Sequence, residues 1–276
     1  MEFEFMSKGL PKWINDIVDD FLDHMKSVFQ LLAICIKGIN SLEFIPAMIE
    51  AFEKESNDYE SKLRNAQMEV SLAQSEKADG YPFLHAQMAI NLWSSLESFM
   101  RNLLVGWLKN IPDAMKCDEI RKLKVKIGEY ESIRDEEDKY NYILDLLEDH
   151  LMTRGSPGIG RFNSLLSVFG LSVSMDENLK RDIYELYCVR NVLVHRRGVA
   201  DLKIVENCPW LNLQIGQRLM IRNDSYQMYQ LAVSAFVLEL MQRLRSYFGL
   251  KRADTDDVAE KCRQQSNELR SKRRQL

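Results

Sequence analysis

The chain has 276 residues, 46% apolar and 28% charged, enough material for a buried core and the composition of an ordinary soluble protein. A net charge of −4 gives no overall attraction for nucleic acid, so a polyanionic partner would have to be held by a local basic cluster. With 12 Gly and 6 Pro the chain is too poor in turn residues for a sandwich or barrel. Cys35, Cys117, Cys188, Cys208 and Cys262 are scattered without metal-ligand spacing, which fits reduced thiols and a cytoplasmic location.

The start, Met1-Glu2-Phe3-Glu4, lacks the basic residues of a signal peptide, and the apolar run near Phe29 to Ile36 is short for a bilayer span, so no membrane association is expected. Ile14, Val18, Phe21, Met25, Val28, Leu32 and Cys35 alternate steps of four and three, which predicts a helix beginning near Pro11 and ending at Gly38. Ile45, Ile49, Phe52, Ser56, Tyr59, Leu63, Ala66, Val70 and Ala73 continue the alternation over four heptads, the period of a coiled-coil seam. A turn at Gly38-Ile39-Asn40 would fold the two into a long antiparallel hairpin, with part of the seam left for another partner. Asp79-Gly80-Tyr81-Pro82 marks a boundary, separating an N-terminal hairpin region (1–80) from the segment 81–250.

Helices are expected again over Phe83 to Lys109, Arg134 to Met152 and Phe162 to Phe169. Between the last two, residues 154–160 (Arg-Gly-Ser-Pro-Gly-Ile-Gly) read as the most flexible internal segment, and no Lys-Ser or Lys-Thr follows to make a phosphate-cradling loop. Asp176 is placed to cap a further helix that buries Ile183, Leu186 and Leu193 and stops at Gly198. Residues 211–221 alternate around Gly216 and are the only strand signal, at most one small β-hairpin. Ser225 would cap a last helix through Tyr247, and the charged tail 251–276 reads as solvated.

The helix after Asp176 carries the chemistry. Within Leu186-Tyr-Cys-Val-Arg190-Asn191-Val-Leu-Val-His195-Arg196-Arg197-Gly198, Asn191 and His195 are four apart and share a helix face. Arg190 is long enough to bend toward them. An imidazole in the last turn meets unpaired carbonyls that favour its charged form and guanidiniums that oppose it, and histidine ordinarily titrates nearest neutrality. RNA brings its own nucleophile, the 2′-hydroxyl. Cleavage then needs a group to move that proton, a cation for the phosphorane charge and a polar group to orient them. His195, Arg190 and Asn191 are the candidates for those roles. Arg196 and Arg197 are candidate contacts to flanking RNA phosphates. The plainer reading of the same residues is a histidine capping its own helix and an arginine facing water.

The stretch from Glu185 to Gly198 resembles the signature of the HEPN superfamily (higher eukaryote and prokaryote nucleotide-binding domain): an Arg, a polar residue often Asn, a short apolar stretch, then His near a helix end. Ser94-Ser95-Leu96-Glu97-Ser98-Phe99 resembles that family's first core helix, which commonly carries an acid facing the Arg, and Glu97 takes that supporting role in the resemblance. An alternative is an i,i+4 pair of Glu97 with Arg101. The resemblance runs from about residue 82 to 248. It implies an all-α, HEPN-like bundle that dimerises with its motifs facing each other, and metal-independent endoribonuclease activity with no cofactor. It also implies RNA, tRNA among the options, as substrate, in a toxin–antitoxin or antiviral setting. An inhibitor or activator protein would then engage the N-terminal hairpin. Other members of the superfamily are non-catalytic, so a nucleotide- or protein-binding scaffold is the alternative.

Overall fold

The computed structural model describes residues 8–152, 158–253 and 256–273, and the fold is all-α. Among the described residues there is no strand, only an isolated antiparallel bridge between Val199 and Arg218.

The first helix, α1 (Lys12–Ser41), uses its 3–4 spacing as expected over its first half. Ile14, Val18, Phe21, Met25 and Val28 are buried, and they pack on α4 (Pro82–Asn110), which runs back along α1. The Phe21 and Phe99 rings lie 4.9 Å apart, and the Trp13 edge meets Trp107 at 6.2 Å. Residues Leu10 to Val28 therefore belong to the same core as the segment beyond residue 81.

The predicted turn at Gly38 is not made. A single helical glycine costs only about 1 kcal/mol, and α1 continues to Ser41, where Tyr81 donates a hydrogen bond to the neighbouring Asn40 at 2.9 Å. One turn of 3₁₀ helix (Leu42–Phe44) and α2 (Ile45–Phe52) extend it. The chain reverses instead at residues 53–58, where a run of polar residues has no apolar face to bury, and Lys62 closes the reversal on Glu53 and Asp58. Helix α3 (Tyr59–Ala78) then returns with Ala66 and Ala73 buried and Leu63 and Val70 half-buried. The four-heptad seam is thus folded back on itself rather than forming one rod.

This arm leaves Phe44, Met48, Phe52, Met68 and Leu72 exposed. Lys12–Phe52 also contains an 18-residue window of mean hydropathy 1.5, only 6% of it buried. By length and composition that helix is sufficient to cross a membrane, which the count of uninterrupted apolar residues did not register.

The bundle is organised around α4, whose Trp93, Leu96, Met100, Leu103 and Trp107 are fully buried. Packed on it are α5 (Glu136–Met152), α7 (Glu177–Arg196) and α9 (Asn223–Tyr247). Helix α6 (Ile159–Val168) lies against α5 and α7, and its Phe162 ring stacks on Trp93 at 5.5 Å. The flexible segment expected at 154–160 lies largely outside the described residues.

Two further expectations are corrected. Residues 211–221 close a turn, Gln217 N–H to Gln214 O at 3.0 Å, but form no hairpin of their own. The chain leaving α7 takes up their hydrogen bonds, Ala200 N–H to Gln217 O and Leu219 N–H to Gly198 O, both 2.8 Å. Nor is the charged tail solvated: α10 (Asp256–Arg273) packs on α9 and α7. Val258 and Cys262 pack on the core, and charge anchors the rest of the helix. Ser266 and Arg270 donate to buried Asp182 at 2.8 and 2.6 Å, and Arg273 donates to buried Glu185 at 2.5 Å. Glu185 also accepts from Tyr229 (2.7 Å) and Trp210 (2.5 Å), and the exposed Trp210 ring carries the Arg181 guanidinium 4.1 Å from its centroid.

Candidate active site on the motif helix

Helix α7 is fixed at both ends. Asp176 Oδ1 accepts the Asn178 N–H at 2.9 Å, an N-cap that stabilises a helix by about 1 kcal/mol. At the other end Arg197 (φ 55°) and Gly198 (φ 76°) turn left-handed, and the Gly198 N–H closes on Val192 O at 3.1 Å. The left-handed turn therefore begins one residue before the glycine. Asp182, Ile183, Glu185, Leu186, Val189 and Val192 face the core. Arg190 and Asn191 are half-buried, while His195, Arg196 and Arg197 are exposed.

Asn191 and His195 open together onto a groove of about 490 Å³ between α7 and α8 (Leu202–Asn207). Arg196 lies on their side, and Asp201, Lys203 and Asn207 line the other. Asp201 is itself fixed as the α8 N-cap, accepting the Ile204 N–H at 3.1 Å. Arg196 Nε is 3.5 Å from Asp201, so one of the two proposed phosphate-holding arginines already has a carboxylate partner. Arg197 makes no ion pair among the described residues.

Arg190 reaches away from the groove floor toward α4. Its Nη1 donates to Asn191 Oδ1 at 3.2 Å, and its Nη2 is 3.6 Å from Glu97 Oε2. Asn191 is therefore the link between the guanidinium and the groove that holds His195. Glu97 faces Arg190 and not Arg101, which instead binds Asn141 and Asp145 at 2.9 and 2.8 Å.

Sequence reasoning missed the rest of this cluster. Arg161, from α6, donates to Glu97 at 3.4 Å and to Glu148 of α5 at 2.8 Å. No local pattern marks Arg161 or Glu148, because their significance lies in four helices converging. Lys203 and Asn207 were likewise invisible as groove residues. The other histidines stand elsewhere: His24 is 3.2 Å from Asn91 in a cleft between α1 and α4, His85 meets Gly80 O at 3.0 Å, and His150 is 3.3 Å from Glu119. Burial lowers the His85 value below the ordinary range. Among the described residues no three His, Cys, Asp or Glu side chains converge in a way that would hold a metal ion.

No protein-family model, curated protein or solved structure matches this chain.

Proposed function

We propose that this protein is an endoribonuclease of the HEPN type that cleaves RNA without a metal ion. The observation that carries the reading is the shared groove: an exposed imidazole, His195, beside Asn191, whose amide oxygen accepts from Arg190. In the proposed reaction the 2′-hydroxyl attacks the adjacent phosphorus. Its proton passes to a His195 imidazole, the O2′–P bond forms and the P–O5′ bond breaks. The departing O5′ takes a proton from an imidazolium, leaving a 2′,3′-cyclic phosphate and a 5′-hydroxyl. Arg190 offsets the charge of the phosphorane, and Asn191 orients the guanidinium. Arg197 and, once released from Asp201, Arg196 would hold flanking phosphates. In this reading two copies pair so that their motifs form one composite cleft, and the activity serves a cytoplasmic toxin or antiviral effector acting on tRNA or another cellular RNA.

Purified wild type is expected to fragment RNA in excess chelator, and His195→Ala to lose the activity while keeping its helical circular dichroism and its mass in solution. Equal fragmentation by the two proteins would reject the assignment.

A second reading draws on the exposed apolar residues of the arm: a non-catalytic HEPN-like module that binds a nucleotide or a partner protein. It predicts no RNA loss with wild type, and a co-purifying partner released by charged replacements at Phe52 and Leu63.

A further inference from the structure

We infer that Arg161 is a positioning residue of this same site: it retains the Glu97 carboxylate so that Arg190 can exchange that carboxylate for a phosphate. The inference rests on the ribonuclease reading and adds a residue that the motif does not contain.

Four side chains from four helices form an unbroken series of alternating charge. Arg190 (α7) is 3.6 Å from Glu97 (α4), Glu97 is 3.4 Å from Arg161 (α6), and Arg161 is 2.8 Å from Glu148 (α5). The contacts lengthen toward Arg190, so its tie to the acid is the loosest of the series. Among the described residues Arg190 is also under-satisfied: its Nε is buried with no hydrogen-bond partner, and its hydrogen bond to Asn191 is 3.2 Å long. A guanidinium held this way gains from turning toward an incoming phosphate, which offers short charge-assisted hydrogen bonds.

That movement has a consequence for Glu97. The side chain is only 30% exposed. Were Arg190 its only cation, this partly buried carboxylate would be left uncompensated and would repel the phosphodiester that drew the cation away. Arg161 prevents both effects. It bridges Glu97 and Glu148, so the acid keeps a partner throughout, and Glu148 keeps Arg161 from following Arg190 toward the RNA. Without Arg161, Glu97 would have Arg190 alone and would bind it more tightly in the resting protein.

The test is a double-mutant cycle on RNA cleavage with kcat and KM resolved. Arg161→Gln is expected to lower kcat/KM by about tenfold or more. Arg161→Gln combined with Glu97→Gln is expected to regain most of that loss, since a neutral amide no longer competes for Arg190. Arg161→Lys, which keeps the charge but not the fork, should fall between wild type and Arg161→Gln, and it serves where the Gln variant fails to fold. If Arg161 only ties α6 to its neighbours, the double variant will be no better than the single one. That result, or unchanged cleavage by Arg161→Gln, overturns the inference while leaving the ribonuclease reading intact. If wild type does not cut RNA at all, the reading fails and the inference falls with it.

Discussion

Replacing Arg270 with Met should destabilise the protein far more in mild alkali than in mild acid. Asp182 is 1% exposed, and burial pushes its carboxyl from 3.8 up to about 6, although the hydrogen bond from Ser266 and the charge of Arg270 pull it down and Glu185 adds to the rise. Because the folded value lies above the unfolded one, folding takes up a proton between those two values. The favourable contribution is complete below about pH 4 and is lost as pH rises through about 6. At neutral pH the ionised carboxylate is held at a cost of about 3 kcal/mol relative to the unfolded chain. Met at position 270 removes the cation and raises the folded value further. Between pH 6 and that new value the variant keeps its proton while the wild type does not. The variant's deficit then grows by about 1.4 kcal/mol per pH unit. At pH 5 only the lost hydrogen bonds remain, to Asn178, Ser266, Asn267 and the neutral Asp182 carboxyl, roughly 1 kcal/mol after the Met side chain fills the space. At pH 8 the deficit should be about 3 kcal/mol larger, in the range for breaking a buried ion pair. Urea denaturation of both proteins from pH 5 to 8.5 measures this directly. A deficit equal at the two ends, or larger at pH 5, would refute the reasoning.

Two more perturbations probe packing. A Cβ at Gly106 would stand 2.8 Å from Trp13 Cε3 and Cζ3 and 3.2 Å from Ile17, so Gly106→Ala should lower stability by roughly 1 kcal/mol even though alanine is the better helix former. A higher midpoint in thermal unfolding would show that α1 and α4 are not in close contact there. Asp176→Ala removes the cap of the motif helix and should cost about 1 kcal/mol, read as a lower urea midpoint with an unchanged slope.

Much of the architecture was legible before any coordinates. The 3–4 spacing of Ile14 to Val28 located the buried face of α1, Asp176 the cap of α7, and the apolar residues from Phe83 to Lys109 the helix around which the bundle is organised. The same spacing misled between Ile45 and Ala73, because a heptad pattern keeps its phase whether the chain runs straight or folds back across a polar break. The tail misled for the opposite reason. Hydropathy counts apolar side chains, whereas α10 is held by Arg270 and Arg273, whose partners Asp182 and Glu185 lie 88 residues earlier in the chain.

The buried face of α1 and the limits of α7 were decided by the sequence itself, since capping, propensity and periodicity act within a few residues. So was the placing of Arg190, Asn191 and His195 on neighbouring turns of one helix. What those residues touch was left to tertiary structure. The rotation of α4, α5 and α6 about their axes put Glu97 beside Arg190 and Arg161 between Glu97 and Glu148, and the docking of α8 supplied the second wall of the groove that His195 lines. Charge pairs between helices depend on that packing geometry, which no short window of residues encodes.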